Sequence, residues 1–233
     1  MADFSAVQAL TFDLFGTILD LGGSLIPPLR PFLQEKNATL SAEAFWAQWR
    51  YRQRIEQYQD TIMMLGHSGY QEVARRAFVY VLRNNRIETT ADEVAAFMRN
   101  WQQLSSFPEV TPALARLRSR YKLVVLSNGE PDFLQHLAAN RVQWAFDDIF
   151  SVNTVGAFKP HPAVYRRAAL HLELAVGQCL MVSANAFDTV GARSCGFRAV
   201  YVNRYNLPVE DHPYQPDQIV GNFTELADCL LAG

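Results

Sequence analysis

The sequence predicts an α/β protein with a parallel sheet, interrupted after its first strand by a long all-helical insertion. Three observations carry this. Five short apolar runs each read as a buried strand, and the later ones alternate with helical stretches of about ten residues. Between about residues 21 and 101, apolar residues recur only at helical spacing. Polar residues stand where the first, second and fourth runs end, and in parallel sheets such positions gather on one rim outside the carboxyl ends of the strands.

Taken in order, residues 7–12 are the first strand, ending at Asp13 with Gly16 in the loop that follows. Within the insertion, Phe45, Trp49, Arg52 and Glu56 fall near one helix face, and Val73, Ala77, Phe78 and Val81 form a cleaner apolar stripe. Ser41, and Thr90 with Glu93 three residues on, mark helix starts. Residues 111–120 read as helix, and 121–126 as the second strand, ending in Ser127-Asn128-Gly129. Residues 131–139 are helical and 148–152 form the third strand; 162–171 are helical and 178–182 form the fourth, ending at Ser183. A helix over 187–195 leads to the fifth strand at 198–202. The expected organisation is a Rossmann-like parallel sheet core domain of residues 1–20 and 102–233, with an all-helical cap domain at 21–101 inserted after the first strand.

Composition narrows the class. The 233 residues carry 21 Lys+Arg and 23 Asp+Glu for a formal net charge of -2, so no global basic field holds a nucleic-acid backbone. Hydrophobic residues make up 49% and charged residues 19%, enough to bury a core and too apolar for a disordered chain. No run approaches the roughly 18 apolar residues of a membrane span, and Met1-Ala2-Asp3-Phe4 is not a leader-like start. Three cysteines without C-x-x-C spacing point to reduced thiols and a cytoplasmic setting. Five histidines without i, i+4 pairing give no zinc site, so no metal or cofactor is expected.

The rim residues carry a resemblance. Asp13-Leu14-Phe15-Gly16-Thr17, Ser127-Asn128-Gly129, Lys159-Pro160 and Ser183-Ala184-Asn185-Ala186-Phe187-Asp188 occur in order at or near strand ends. They are spaced 114 (127 − 13), 32 (159 − 127) and 29 (188 − 159) residues apart. This set resembles the four motifs of the haloacid dehalogenase superfamily. Phosphatases of that superfamily usually place a second Asp where Phe15 stands, and an acidic magnesium ligand where Ala184 stands. An alkoxide leaving group needs such an acid and cation; a halide does not. The sequence therefore resembles the L-2-haloacid dehalogenase branch, which implies hydrolysis of a small 2-haloalkanoic acid to the 2-hydroxy acid. A magnesium-dependent phosphatase and a catalytically idle binding member are the alternatives.

Roles follow from the resemblance. Asp13 is the nucleophile, forming an ester with the substrate. Lys159 pairs with it and keeps it ionised. Asp188 handles the hydrolytic water, oriented by Ser183 and Asn185. Thr17, Ser127 and Asn128 hydrogen-bond the nucleophile, the substrate carboxylate or the halide, and Tyr165 lies near the substrate carboxylate. Arg52, with Tyr58 six residues on, is the expected halide-binding cap arginine; Arg50, preceded by Trp49, is its rival. Phe15 and Phe187 wall out water. The expected partner is a small halogenated carboxylic acid, with no nucleic acid or membrane, and the family's cap helices often pair into homodimers.

Overall fold

The computed structural model describes residues 3–232; Met1 and Ala2, on which the expectation about the chain's start partly rests, lie outside the described residues. In chain order the elements are β1 (Ala9–Phe12), β2 (Leu19–Asp20), α1 (Leu21–Glu35), α2 (Ala42–Ile62), α3 (Tyr70–Asn84), α4 (Ala91–Met98) and β3 (Ser105–Ser106). Next come α5 (Val110–Leu117), β4 (Lys122–Ser127), α6 (Pro131–Leu137), β5 (Asp148–Ser151) and α7 (Pro162–His171). The chain ends with β6 (Cys179–Ser183), α8 (Ala186–Ser194), β7 (Arg198–Val202), β8 (Gln218–Val220) and α9 (Phe223–Leu231).

The main sheet runs β5-β4-β1-β6-β7-β8, every neighbouring pair parallel. β1 is buried at every position, as expected of a strand with both faces covered. It stands at the switch point, where the next strands lie to either side, and α/β sheets bind their ligands beside that point. Register levels the strand ends: Phe12 sits opposite Val125 of β4 and Val182 of β6, so Asp13 emerges level with Leu126 and Ser183.

Helices α1 to α4 form the insertion. Ser41 caps α2 through Ala44 N–H, and Thr90 with Glu93 forms a reciprocal capping box on α4, as the sequence predicts. The stripe on α3 is buried as expected, and Trp49 Nε1 donates to Ala74 O at 2.7 Å to fix α2 against it. On α2 the face differs from expectation. Phe45 and Trp49 are buried, but the stripe continues through Gln53, Gln57 and Asp60 rather than Arg52 and Glu56.

Four elements had no counterpart in the sequence pattern. β2 and β3 pair antiparallel, Leu19 with Ser106 and Asp20 with Ser105, and so tie the entry and exit of the insertion together. β8 extends the sheet and α9 packs on it with Phe223, Leu226 and Leu230 buried. Among the described residues, no helix is long and apolar enough to cross a membrane.

Candidate active site

Asp13 leaves the end of β1 at 4% exposure, its N–H bonded to Val182 O at 3.0 Å. Both carboxylate oxygens are held. Oδ1 accepts from Lys159 Nζ at 3.0 Å; Oδ2 accepts from Thr17 Oγ1 at 2.9 Å and from Asn185 Nδ2 at 2.9 Å. Thr17 Oγ1 in turn accepts from Ala184 N–H at 2.8 Å, which orients its donor toward Asp13. Asn185 Nδ2 also reaches Phe15 O at 3.3 Å.

Lys159 sits between two carboxylates. Its ammonium donates to Asp13, to Asp188 Oδ2 at 2.7 Å and to Leu126 O at 2.9 Å, engaging all three of its N–H groups. Burial alone would lower its pKa; the charges and hydrogen bonds of Asp13 and Asp188 outweigh that and raise it. Asp188, fully buried in the first turn of α8, has its pKa raised by burial against the opposing pull of Lys159. Asn185 is the N-cap residue of α8.

The other expected residues are placed as follows. Phe15 stacks on Tyr70 of α3 with ring centroids 4.0 Å apart, and Phe187 meets Tyr58 edge-on at 6.1 Å. Asn128 Oδ1 accepts from Lys159 N–H at 2.9 Å, and its carbonyl bonds His67 Nε2 at 2.7 Å. Ser183 Oγ accepts from Asn185 N–H at 3.1 Å. Ser127 is fully buried, its hydroxyl without a hydrogen-bond partner, and it does not line the cavity. Tyr165 departs from expectation. It is fully buried, and its hydroxyl donates to Asp188 Oδ1 at 2.7 Å and approaches Asp188 O at 3.2 Å, so it backs the second carboxylate instead of meeting a substrate.

Arg52 is the main correction. Its guanidinium pairs with Glu56 at 2.5 Å and lies over the Tyr80 ring at 4.1 Å, away from Asp13. Arg50 and Arg54 line the cavity instead. The reason is helical geometry: at about 100° per residue, positions 50 and 52 point roughly 200° apart, whereas 50, 54 and 57 share a face. That i, i+4, i+7 series of Arg50, Arg54 and Gln57 was present in the sequence and is the signal that finds the cavity wall.

The cavity over Asp13 holds about 20 Å³. Asp13, Lys159, Asn185 and Asn128 wall it from the sheet, and Arg50, Arg54, Gln57 and Tyr70 from the insertion, with Phe15 and Phe187 at its sides. A larger cleft of about 760 Å³ lies beside α3 and α4, lined by Val79, Ile87 and Val94 with Arg75, Arg83 and Arg86, and lacks a nucleophile with an acid–base partner. The four motifs converge on the smaller cavity and not on this cleft.

The site does not fit a magnesium ion of the phosphatase kind. The Lys159 ammonium fills the space between Asp13 and Asp188, and Ala184 brings no oxygen ligand from its side chain. Phe15, stacked on Tyr70, offers no proton to a leaving alkoxide.

Comparison with known proteins agrees with this geometry. The model of the haloacid dehalogenase-like hydrolases matches residues 7–196. The chain is 28% identical over 226 residues to (S)-2-haloacid dehalogenase 2 of Pseudomonas sp. (strain CBS-3), covering 96% of each chain. It is 30% identical over 199 residues to the (S)-2-haloacid dehalogenase of Xanthobacter autotrophicus, covering 85% of this chain and 76% of that one. The solved L-2-haloacid dehalogenase of Xanthobacter autotrophicus with chloropropionic acid covalently bound superposes with a TM-score of 0.83 at 26% identity, covering 96% of this chain and 98% of that one. Four motifs converging on one carboxylate and a family match over 190 residues (7 to 196) lead to the same place: the chain belongs to the haloacid dehalogenase-like hydrolases.

Proposed function

We propose that the chain hydrolyses a small (S)-2-haloalkanoic acid to the 2-hydroxy acid through an ester formed on Asp13. The observation that carries this is the Asp13 carboxylate itself, fixed on both oxygens by Lys159, Thr17 and Asn185, in a confined cavity walled by aromatic rings and guanidinium groups. A carboxylate so held is oriented for in-line attack at C2, and the attack needs no general acid because halide departs as an anion. Arg50, with Nη1 on Gln53 Oε1 at 2.5 Å and Tyr70 OH at 3.5 Å, takes the departing halide beside the apolar rings of Phe15 and Tyr70.

Hydrolysis of the ester falls to Asp188. Burial raises its pKa and so makes it a stronger base than an exposed carboxylate, and Tyr165 and Lys159 hold its orientation. Residues 1–20 and 102–233 act as the core domain and 21–101 as the cap that closes over Asp13. The proposed setting is cytoplasmic, supported by three free cysteines, and the proposed assembly a homodimer, supported by the exposed Tyr51 and Tyr80 on the outer faces of α2 and α3.

Halide release from (S)-2-chloropropionate in the presence of EDTA tests the reaction; none at micromolar enzyme counts against it. A single turnover in heavy-oxygen water, with enzyme in excess, tests the route. Unlabelled lactate and label in the peptide containing Asp13 support the ester. Labelled lactate from the first turnover sinks it.

A further inference from the structure

Arg54 is the one charged group on the cavity wall left without a task. Its Nη2 donates to Asn185 Oδ1 at 3.2 Å and its guanidinium lies 5.5 Å from the Phe187 ring centroid. Four other arginines of the insertion have acids: Arg30 pairs with Glu43, Arg52 with Glu56, Arg75 with Glu72 and Arg76 with Asp60. Arg50 and Arg54 do not.

An inventory of donors shows what this leaves open. The three N–H groups of Lys159 are engaged, the Asn185 amide faces Asp13 and Phe15 O, and Thr17 is bonded to Asp13. Ser127, expected to meet the substrate carboxylate, is buried off the cavity. Gln57, Tyr70 and Asn128 are neutral. The substrate carboxylate therefore has two cations to choose from. Displacement is in line, so halide departs on the side opposite Asp13. Arg50 contacts Gln53, Tyr70 and Trp46, none of which hydrogen-bonds the Asp13 carboxylate, whereas Arg54 shares Asn185 with the nucleophile and so stands beside it.

Resting on the dehalogenase reading, we infer that Arg54 binds the carboxylate of the substrate, and that this contact selects 2-haloacids over their uncharged amides and esters. Charge agrees. Asp13 and Asp188 against Lys159, Arg50 and Arg54 leave one positive charge, which a monoanionic acid neutralises. When the carbon–halogen bond breaks and the Asp13 oxygen bonds to C2, the electron pair leaves on the halide. The halide then faces Arg50 and the carboxylate stays on Arg54. Desolvation, then the Arg50 charge, lower the Arg54 pKa, and an anion between the two guanidiniums relieves the second of these.

The experiment compares kcat/KM for (S)-2-chloropropionate and (S)-2-chloropropionamide in the unmodified protein, Arg54→Met and Arg54→Lys. In Arg54→Met the acid-to-amide ratio is expected to fall at least tenfold, with most of the loss in KM, and Arg54→Lys to recover part of it. Calorimetric binding of propionate, which cannot react, is expected to weaken in parallel. A ratio within twofold of the unmodified protein overturns the inference, as does a loss confined to kcat, which would place Arg54 behind Asn185 as a positioning residue. Absence of halide from the acid in the unmodified protein overturns the dehalogenase reading and this inference with it; halide release with an unaltered ratio overturns this inference alone.

Discussion

Replacing Tyr165 by Phe removes one oxygen and tests which carboxylate drives the second half of the reaction. The phenol donates to Asp188 Oδ1 at 2.7 Å, and both residues are fully buried. A hydrogen bond to an ionised group contributes about 1.5–3 kcal/mol. At about 1.36 kcal/mol per pKa unit, its loss raises the Asp188 pKa by about 1–2 units beyond the rise burial already causes. The sign is fixed, because the bond favours the ionised form and its removal favours the protonated one. If ionised Asp188 is the base of ester hydrolysis, the acid limb of kcat moves up by about 1–2 pH units while the rate of ester formation changes little. Steady-state halide release from about pH 5 to about pH 10, with single-turnover runs to separate the two steps, measures this. The melting temperature is also expected to drop by about 3–12 °C, from about 2–4 °C per kcal/mol for a chain of this size. An acid limb that stays in place while the melting temperature falls would falsify the assignment, since the bond would then be structural only.

Asp188→Asn is expected to give one burst of halide per site and leave an ester on Asp13, seen as a mass increase of the intact protein; steady turnover of halide argues against its role as base. Arg50→Gln is expected to lower kcat/KM by roughly a hundredfold or more, and Arg52→Gln by less than about threefold, since Arg52 is held by Glu56 and Tyr80 off the cavity. The reverse order would return Arg52 to the site. Lys159, whose pKa is raised in the fold, adds stability that is complete below its ordinary value of 10.5 and is lost as pH rises through the folded value. Urea unfolding of Lys159→Met should show a loss of about 3–5 kcal/mol near neutrality, with no decline of its own above that pH; curves parallel to the unmodified protein would contradict this.

The sheet was legible because parallel strands are buried on both faces and so appear as uninterrupted apolar runs. β4, β5, β6 and β7 lie within one residue of expectation, and β1 begins two residues later than expected. Asp13, Lys159 and Asp188 were legible because their places follow the strand ends. What failed was the face of α2. An apolar pattern was extended from Phe45 and Trp49 to Arg52 and Glu56, but the protein buries Gln53, Gln57 and Asp60, polar groups that hydropathy assigns to solvent. Gln53 accepts from Arg50, and Asp60 pairs with Arg76, so each is buried with a partner that no periodicity reveals. Tyr70 was missed because an aromatic at the start of an amphipathic helix reads as core, and only the fold brings it onto Phe15. β2 and β3, two residues each, are too short for any period, and β8 is only three.

The central place of β1 has a consequence for synthesis. Its partners are far downstream: Phe12 pairs with Val125, 113 residues later (125 − 12), and with Val182, 170 later (182 − 12). At about 5–20 residues per second, the first partner leaves the ribosome roughly 6–23 s after β1 does. Helices α1 to α4 fall within that interval, and helix formation takes microseconds, so the insertion can fold around its own contacts while β1 waits unpaired. Asp13 is among the earliest residues made, yet it gains its place only when Lys159, Asn185 and the strands that carry them have emerged.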